Sequence, residues 1–410
     1  MNLSKSTLRK SLFQEKPWYQ SQKESPLSKL LKFTADFASK LPVLLQHRVM
    51  KWIDDFGLFF LRIGKIIQSS HQPYFLISCC LSGQKKITML YQGDLTSFQF
   101  FLKRIFPNQQ NPIITPIDQV SNKKKDIKKL QNDVDMVIYE RDMFFNLYYQ
   151  RKGYLVIPET ISFILPLDQT IDEIINSCSL RVQNDLRKAK SLGYHYRIAH
   201  DFSSFSDFYH TMYLPYVTWK HKHLQKIISY ESMKHYVLRR SNLLLVQIQN
   251  EAIFGGIYES EKQHITTQYS GIKQGKFDHI QQGIITISYY FLILIAKQYQ
   301  MNYIDFGAST PFLNDGLNRY KRGWNMNITP SKPVFSTIFA LRINNISDSL
   351  SSFFEANPTF YFKNHDLLLA YHINRNKEKM PTKQDIIKQN NLKGIEPTIY
   401  YSFEEFITNQ

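Results

Sequence analysis

The spacing of apolar residues changes period several times along the chain. Between residues 27 and 68 apolar positions recur at helical spacing, interrupted at Pro42 and Gly57. After Gly57, Leu58, Phe59, Phe60, Leu61, Ile63, Ile66 and Ile67 are interleaved with Arg62 and Lys65. That pattern suits either a helix lying on an anionic membrane or a packing helix of a first lobe. From Tyr74 the period becomes two. Residues 74–81 and 87–91 read as strands joined around Gly83, and 95–104 as a helix. Short strands are predicted at 135–139, 154–157 and 161–165, with a helix at 144–150.

The second half alternates more regularly. Asp168 is placed to cap a helix over 171–178, ahead of a basic helix over 179–193 that Gly193 ends as its C′ residue. A strand over 194–199 follows. A helix capped by Asp201 or Ser203 then carries Phe205, Phe208, Tyr209 and Met212. Apolar runs at 243–249 and 252–258, separated by Asn250-Glu251, read as a hairpin. A strand over 264–272, a loop over 273–283, a helix over 284–299 and a strand over 303–306 ending at Gly307 complete the series. The most apolar run, 284–296, is too short to span a bilayer and is followed by Lys297, so it reads as a buried helix.

A chain of 410 residues suggests two domains. The expected division is a mobile basic segment over 1–26, a first lobe over 27–165, a second lobe over 166–375 and an extension over 376–410. Aromatic residues make up 14% of the chain, which excludes a disordered polymer and supplies a large core. The net charge of +17 suits a nucleic acid, an anionic membrane surface, a phosphate-bearing substrate or a polyphosphate cofactor. The basic residues are scattered, so a generally basic surface fits as well. Cys79, Cys80 and Cys178 make no disulfide framework, which points to a reduced, cytoplasmic protein. No Cys-x-x-Cys pair is present, and His221 and His223 lack metal-ligand spacing, so no metal is expected. Lys5, Arg9, Lys10 and Lys16 are followed by no apolar segment, which argues against a secretory signal. Peripheral attachment to the inner face of a membrane stays open.

Two stretches carry candidate chemistry. The first is the connection from strand to helix, with Gly271, Lys273, Gly275, Lys276, Gln282 and Gly283. Unpaired N–H groups at a helix start attract anions, and the lysines add charge. A flexible connection accounts for the same residues. The second is 305–324. Asp305 and Gly307 stand at a strand end, and Lys321 offers a cation that can stabilise an oxyanion. Tyr320 and Trp324 read as core. Asp305, Tyr269 and the histidines of Trp219-Lys220-His221-Lys222-His223 are candidate general bases. Tyr216, Trp219, Lys220 and His221 form either an acceptor-binding loop or a solvated one. Arg181, Arg187, Lys188 and Lys190 line one helix, where they hold an anion or simply face water. There is no Gly-x-Ser-x-Gly, P-loop or His-Glu-x-x-His, and Asp305-Phe306-Gly307 lacks the remaining kinase motifs.

Three stretches resemble the GNAT superfamily, and within it the two-lobed FemAB-like acyltransferases. They are the 180–193 helix, the 266–271 strand with its loop and long helix, and the series Ile304-Asp305-Phe306-Gly307, Ser309, Pro311, Asp315-Gly316-Leu317 and Tyr320-Lys321-Arg322-Gly323-Trp324. The resemblance implies an α/β (α+β) fold with a GNAT-like mixed sheet flanked by helices, in two lobes, the first degenerate. It implies an N-acyltransferase that uses acyl-CoA or aminoacyl-tRNA as donor and an amine as acceptor, possible acceptors being cell-envelope or lipid precursors. By the same resemblance Lys321 sits near the reacting centre, and Ser309 and Asp315 near the substrate. The superfamily's Arg/Gln-x-x-Gly-x-Gly/Ala loop is echoed only by Gln282-Gly283, which keeps aminoacyl-tRNA beside acyl-CoA. The alternative is a non-catalytic protein of this fold that binds tRNA or another nucleic acid, or associates with a membrane.

Overall fold

The computed structural model describes residues 71–80, 86–95, 98, 113–117, 124–221, 227–231, 233–234, 241–261, 263–331, 336–373 and 381–408, with 64, 66, 67 and 69. Almost all of the expected helical region 27–68, and most of 95–104, lie outside them. No helix among the described residues is long and apolar enough to cross a membrane.

Sixteen strands are described in chain order. Tyr74–Cys80 (β1), Lys86–Gln92 (β2), Ile113–Pro116 (β3), Met136–Asp142 (β4) and Leu155–Pro158 (β5) come first. Ile161–Pro166 (β6), His195–Ala199 (β7), Ser241–Ile248 (β8), Glu251–Glu261 (β9), His264–Ile272 (β10), Tyr303–Ser309 (β11) and Asn327–Pro330 (β12) follow. Thr337–Ile343 (β13), Thr359–Lys363 (β14), Asp366–His372 (β15) and Pro397–Tyr400 (β16) close the series. They form two mixed sheets flanked by helices. One has nine strands in the order β16-β15-β14-β5-β13-β4-β2-β1-β3, the other seven in the order β12-β6-β11-β10-β9-β8-β7.

This division differs from the one expected from sequence position. β13 pairs with both β4 and β5, so 337–343 belongs with the amino-terminal strands. β14, β15 and β16 extend the same sheet. The seven-stranded sheet is thus an insertion between two parts of the other, and neither 165/166 nor 375/376 separates the sheets.

Alternation along the strands explains the core. In β4, Val137 and Tyr139 join one hydrophobic cluster, while Met136 and Ile138 join a second on the opposite face. In β8, Leu244 and Val246 belong to the first cluster, and Leu243 and Leu245 to a third. The first cluster takes residues from both sheets, including Val156, Phe163 and Ile304, together with Trp324 at the end of a helix. Cys178 is buried there too, and burial pushes its thiol up to about 12, which makes it a packing residue.

Several local signals act where the sequence places them, and others shift. Gly193, at φ +74°, follows the Leu180–Ser191 helix, and Asp201 caps Phe202–Asp207 by accepting from Ser204 N at 2.7 Å. The Ile171–Ser177 helix is capped by Thr170 instead of Asp168, because Thr170 and Glu173 complete a reciprocal capping box. The hairpin turns at Gln249-Asn250, one residue before the expected pair. Both residues take positive φ, 48° and 66°, as a tight two-residue hairpin turn requires. The Phe208–Tyr213 segment is a π-helix, which the periodicity does not reveal.

Candidate functional site

The site begins where a ladder ends. β10 and β11 run parallel and pair only at His264–Tyr303, Ile265–Ile304 and Thr266–Asp305. Both strands continue past that point without further pairing to each other. Each also carries an irregularity there. β10 shifts register against β9 between Thr267 and Tyr269, and β11 shifts against β6 between Asp305 and Ala308. Gly307, inside the β11 irregularity, has φ +74°. The bridge pairing between the two strands ends at Asp305, where Thr267 Oγ1 still donates to Asp305 O at 3.4 Å.

The Gly316–Gly323 helix delivers Lys321 to this end of β11. Asp315 starts the helix, its Oδ1 accepting from Leu317 N at 2.9 Å and Asn318 N at 3.0 Å. Lys321 is 2% exposed and donates from Nζ to the carbonyls of Gly307 at 2.8 Å and Ala308 at 3.0 Å. The same nitrogen lies 5.4 Å from the Phe163 ring centroid. Burial lowers its pKa to about 7, the charges of Asp305 and Asp315 oppose that shift, and Lys220 adds to it. Asp305 is 5% exposed and accepts from Gly307 N through Oδ1 at 2.9 Å. The chain therefore concentrates a desolvated amine, a buried carboxylate and a kinked strand end. An amine poised near neutrality can stabilise a developing oxyanion or pass a proton.

The Leu214–His221 helix packs on β10 and brings Lys220 within electrostatic reach of Lys321. Tyr216 is buried and its hydroxyl accepts from Lys220 Nζ at 3.1 Å. Trp219 stacks on Tyr216 with ring centroids 6.2 Å apart and reaches Phe277 at 6.0 Å. Gly275 packs under this helix, since a Cβ there would come 3.2 Å from Pro215 O and 3.4 Å from Trp219 Cβ. Tyr269 is half-buried beside Tyr213, and burial raises its pKa. Its hydroxyl stays protonated at neutral pH, so it suits proton donation better than the general-base role considered from sequence.

No protein-family model matches this chain, and no curated protein matches it. Solved structures do resemble it. L-PGS from Bacillus licheniformis is 12% identical, with 67% of this chain and 82% of that one covered and a TM-score of 0.34. FemX is 13% identical, with 64% and 83% covered and a TM-score of 0.36. A GCN5-related N-acetyltransferase from Kribbella flavida is 11% identical, with 78% and 69% covered and a TM-score of 0.28. Likeness of this degree leaves the reaction to be argued from the site itself.

The remaining residues singled out in the sequence have other surroundings. Gly271 is a packing position: a Cβ would fall 2.4 Å from Tyr213 N, so the glycine admits the π-helix onto β10. Gly283 starts the Ile284–Gln298 helix at φ +82° and lets it approach the Leu180–Ser191 helix, where a Cβ on Gly283 would come 3.0 Å from Asp185 O. No side chain caps that start. Lys273 pairs with Glu251 at 2.7 Å, and Lys276 is exposed. Gln282 Oε1 lies 3.4 Å from the Tyr194 hydroxyl. Arg181, Arg187 and Lys188 are exposed; Arg187 donates to Asn184, Lys188 donates to Gln281 O at 3.1 Å, and Lys190 covers the Tyr290 ring at 4.0 Å. The side chain of His221 and all of Lys222 and His223 lie outside the described residues. Ser309 is buried, with Oγ lacking a partner among the described residues, and so does Thr310 Oγ1. Tyr289 escaped the sequence reading, since it looks like any apolar helix position. It stacks on Phe306 at 4.2 Å and contacts Tyr320 at 5.6 Å. Tyr320 in turn meets Thr286 Oγ1 at 3.1 Å.

Proposed function

We propose that this chain is an N-acyltransferase whose reaction takes place where β10 and β11 part. The observation that carries the reading is Lys321, buried and depressed to about 7 while it holds the two carbonyls at the kink of β11. Two of its three protons are engaged when it is charged, which leaves one for the oxygen of an acyl group.

In this reading the acceptor nitrogen attacks the donor carbonyl carbon and a C–N bond forms. The carbonyl electron pair moves to oxygen, where the Lys321 ammonium stabilises it. Collapse restores the carbonyl and breaks the bond to the leaving group, a CoA thiolate or a tRNA hydroxyl oxygen. Asp305 takes the amine proton through the carboxylate oxygen that Gly307 does not engage. Tyr269 supplies a proton to the departing group. The enzyme acts by placing two reactants together and forms no covalent intermediate.

Acyl-CoA and aminoacyl-tRNA both suit a donor with phosphates. The start of the Ile284–Gln298 helix, with its uncapped N–H groups, and Lys276 supply the matching polarity. Tyr216, Trp219 and Lys220 make an aromatic and cationic wall for the acceptor. A melting-temperature screen with acetyl-CoA, longer acyl-CoAs and aminoacyl-tRNA tests the reading. One of them is expected to raise the transition in a saturable way, because binding to the folded state stabilises it by about 2.7 kcal/mol at 100 times Kd. No rise with any of the three contradicts it.

A further inference from the structure

The nine-stranded sheet carries a cavity of about 380 Å³ that neither Asp305 nor Lys321 lines. Five tyrosines line it: Tyr74, Tyr139, Tyr148, Tyr149 and Tyr154. The other lining residues are Arg141, Lys152 and Arg342, so among the described residues three cations and no carboxylate face the space.

Arg141 is the telling residue. It is 6% exposed, yet every hydrogen-bond partner it has among the described residues is neutral. Nε donates to the Tyr149 hydroxyl at 3.0 Å, and Nη1 to the carbonyls of Ser69 at 2.9 Å and Glu140 at 2.8 Å. Nη2 donates to Gln92 Oε1. The guanidinium lies 4.7 Å from the Tyr139 centroid and 6.0 Å from that of Tyr149. Neutral acceptors and ring faces solvate a buried cation only in part, and an anion completes the arrangement. Arg342 adds a second cation with neutral partners: Nη2 donates to Gln131 O at 2.8 Å and Asn132 Oδ1 at 3.4 Å, while buried Nε has no partner among the described residues. Lys152 makes no ion pair among the described residues and stands exposed at the rim beside exposed Tyr148.

The rings meet one another at an angle. Tyr149 and Tyr154 are 79° apart, Tyr148 and Tyr149 87°, and Tyr139 and Tyr154 49°. These pairs meet edge to face or tilted, with no parallel stacking among them. Burial raises the hydroxyl pKa of Tyr74, Tyr139 and Tyr149, which keeps all three protonated as donors. The lining thus offers flat apolar surface, phenolic donors and an excess of three positive charges.

We propose that this cavity binds a small ligand in which a flat ring carries a phosphate group. The ring lies among the tyrosines, and the dianion meets Arg141, Arg342 and Lys152. The inference does not depend on acyl transfer, and it stands if that reading falls.

Isothermal titration of the full chain with phenyl phosphate, phenol and inorganic phosphate tests it. Phenyl phosphate is expected to bind saturably, with each half at least about tenfold weaker, since charge and ring surface contribute separately. Lys152→Met and Tyr148→Ala alter exposed side chains and leave the core intact. Each is expected to weaken phenyl phosphate by about three- to tenfold, and added salt to weaken it further. Absence of saturable binding, equal binding of phenol, or unchanged affinity in both variants overturns the proposal.

Discussion

The Lys321 Nζ nitrogen lies 2.8 Å from the Gly307 carbonyl oxygen, which ties the Gly316–Gly323 helix to the bulge of β11. Gly307 presents that oxygen because its backbone is left-handed, at φ +74°. A Cβ there would meet Thr267 at 3.5 Å, an ordinary contact, so substitution costs through backbone strain alone. Gly307→Ala is expected to lower unfolding free energy by about 1–2 kcal/mol, read from denaturant titration. Turnover should fall as well, since the carbonyl that holds Lys321 turns away.

Lys321 gives a pH signature. Its folded pKa, about 7, is below the ordinary 10.5, so the unfolded chain holds the proton more tightly. Below pH 7 both states are protonated and the folded state bears the full desolvation penalty. Between pH 7 and 10.5 the folded protein releases the proton first, and the penalty fades. The stability of Lys321→Met relative to the parent is therefore expected to be greatest below pH 7 and to decline as pH rises through that window. Urea titrations of both proteins at pH 6 and pH 9.5 measure it. A difference that does not change with pH removes the shift.

Gly271 and Gly153 should respond differently to the same substitution. Gly271→Ala drives a Cβ to 2.4 Å from Tyr213 N and 2.5 Å from Met212 C, both backbone atoms that cannot yield easily. A loss of about 1–3 kcal/mol is expected, in the range of overpacking. Gly153→Ala meets nothing within 4 Å and suffers only its positive φ of 74°, so its loss should stay near about 1 kcal/mol. Thermal unfolding of the two variants side by side separates clash from strain.

Asp315, a substrate-binding candidate from the resemblance, caps the Gly316–Gly323 helix and lies within electrostatic reach of Lys321. Asp315→Ala is expected to cost about 0.5–2 kcal/mol through the lost bonds to Leu317 N and Asn318 N. Its effect on turnover should be smaller than that of Lys321→Met, and Asp315→Asn should restore most of the stability. Melting curves and initial rates on the same samples distinguish the two roles.

Much of the fold was legible because local chemistry decides it. The apolar run of Ile284–Gln298, the left-handed Gly193 and the Asp201 cap each act within a few residues. Strand partners are not local. Nothing in the pattern of 337–343 says that it pairs between β4 and β5, almost two hundred residues away, since period two marks a strand and not its neighbour. The site divides the same way. Asp305 was visible as a carboxylate at a strand end, and Lys321 through the resemblance of its stretch to a known family. Gly271 and Gly283 looked like loop glycines, because the helices that crowd them come from elsewhere in the chain. Arg141 and its tyrosines gave no signal, as their convergence depends on four separate segments.

The account turns on chemistry in the space where β10 leaves β11, and the most direct test is single-turnover transfer. Labelled acyl-CoA or aminoacyl-tRNA is mixed with excess protein and a panel of amines, and acylated amine is measured for the parent and for Lys321→Met. The account predicts transfer by the parent without labelled protein, and a rate at least about a hundredfold lower in the variant, with donor affinity little changed. Transfer by Lys321→Met at the parental rate, or no transfer from any donor by the parent, contradicts it.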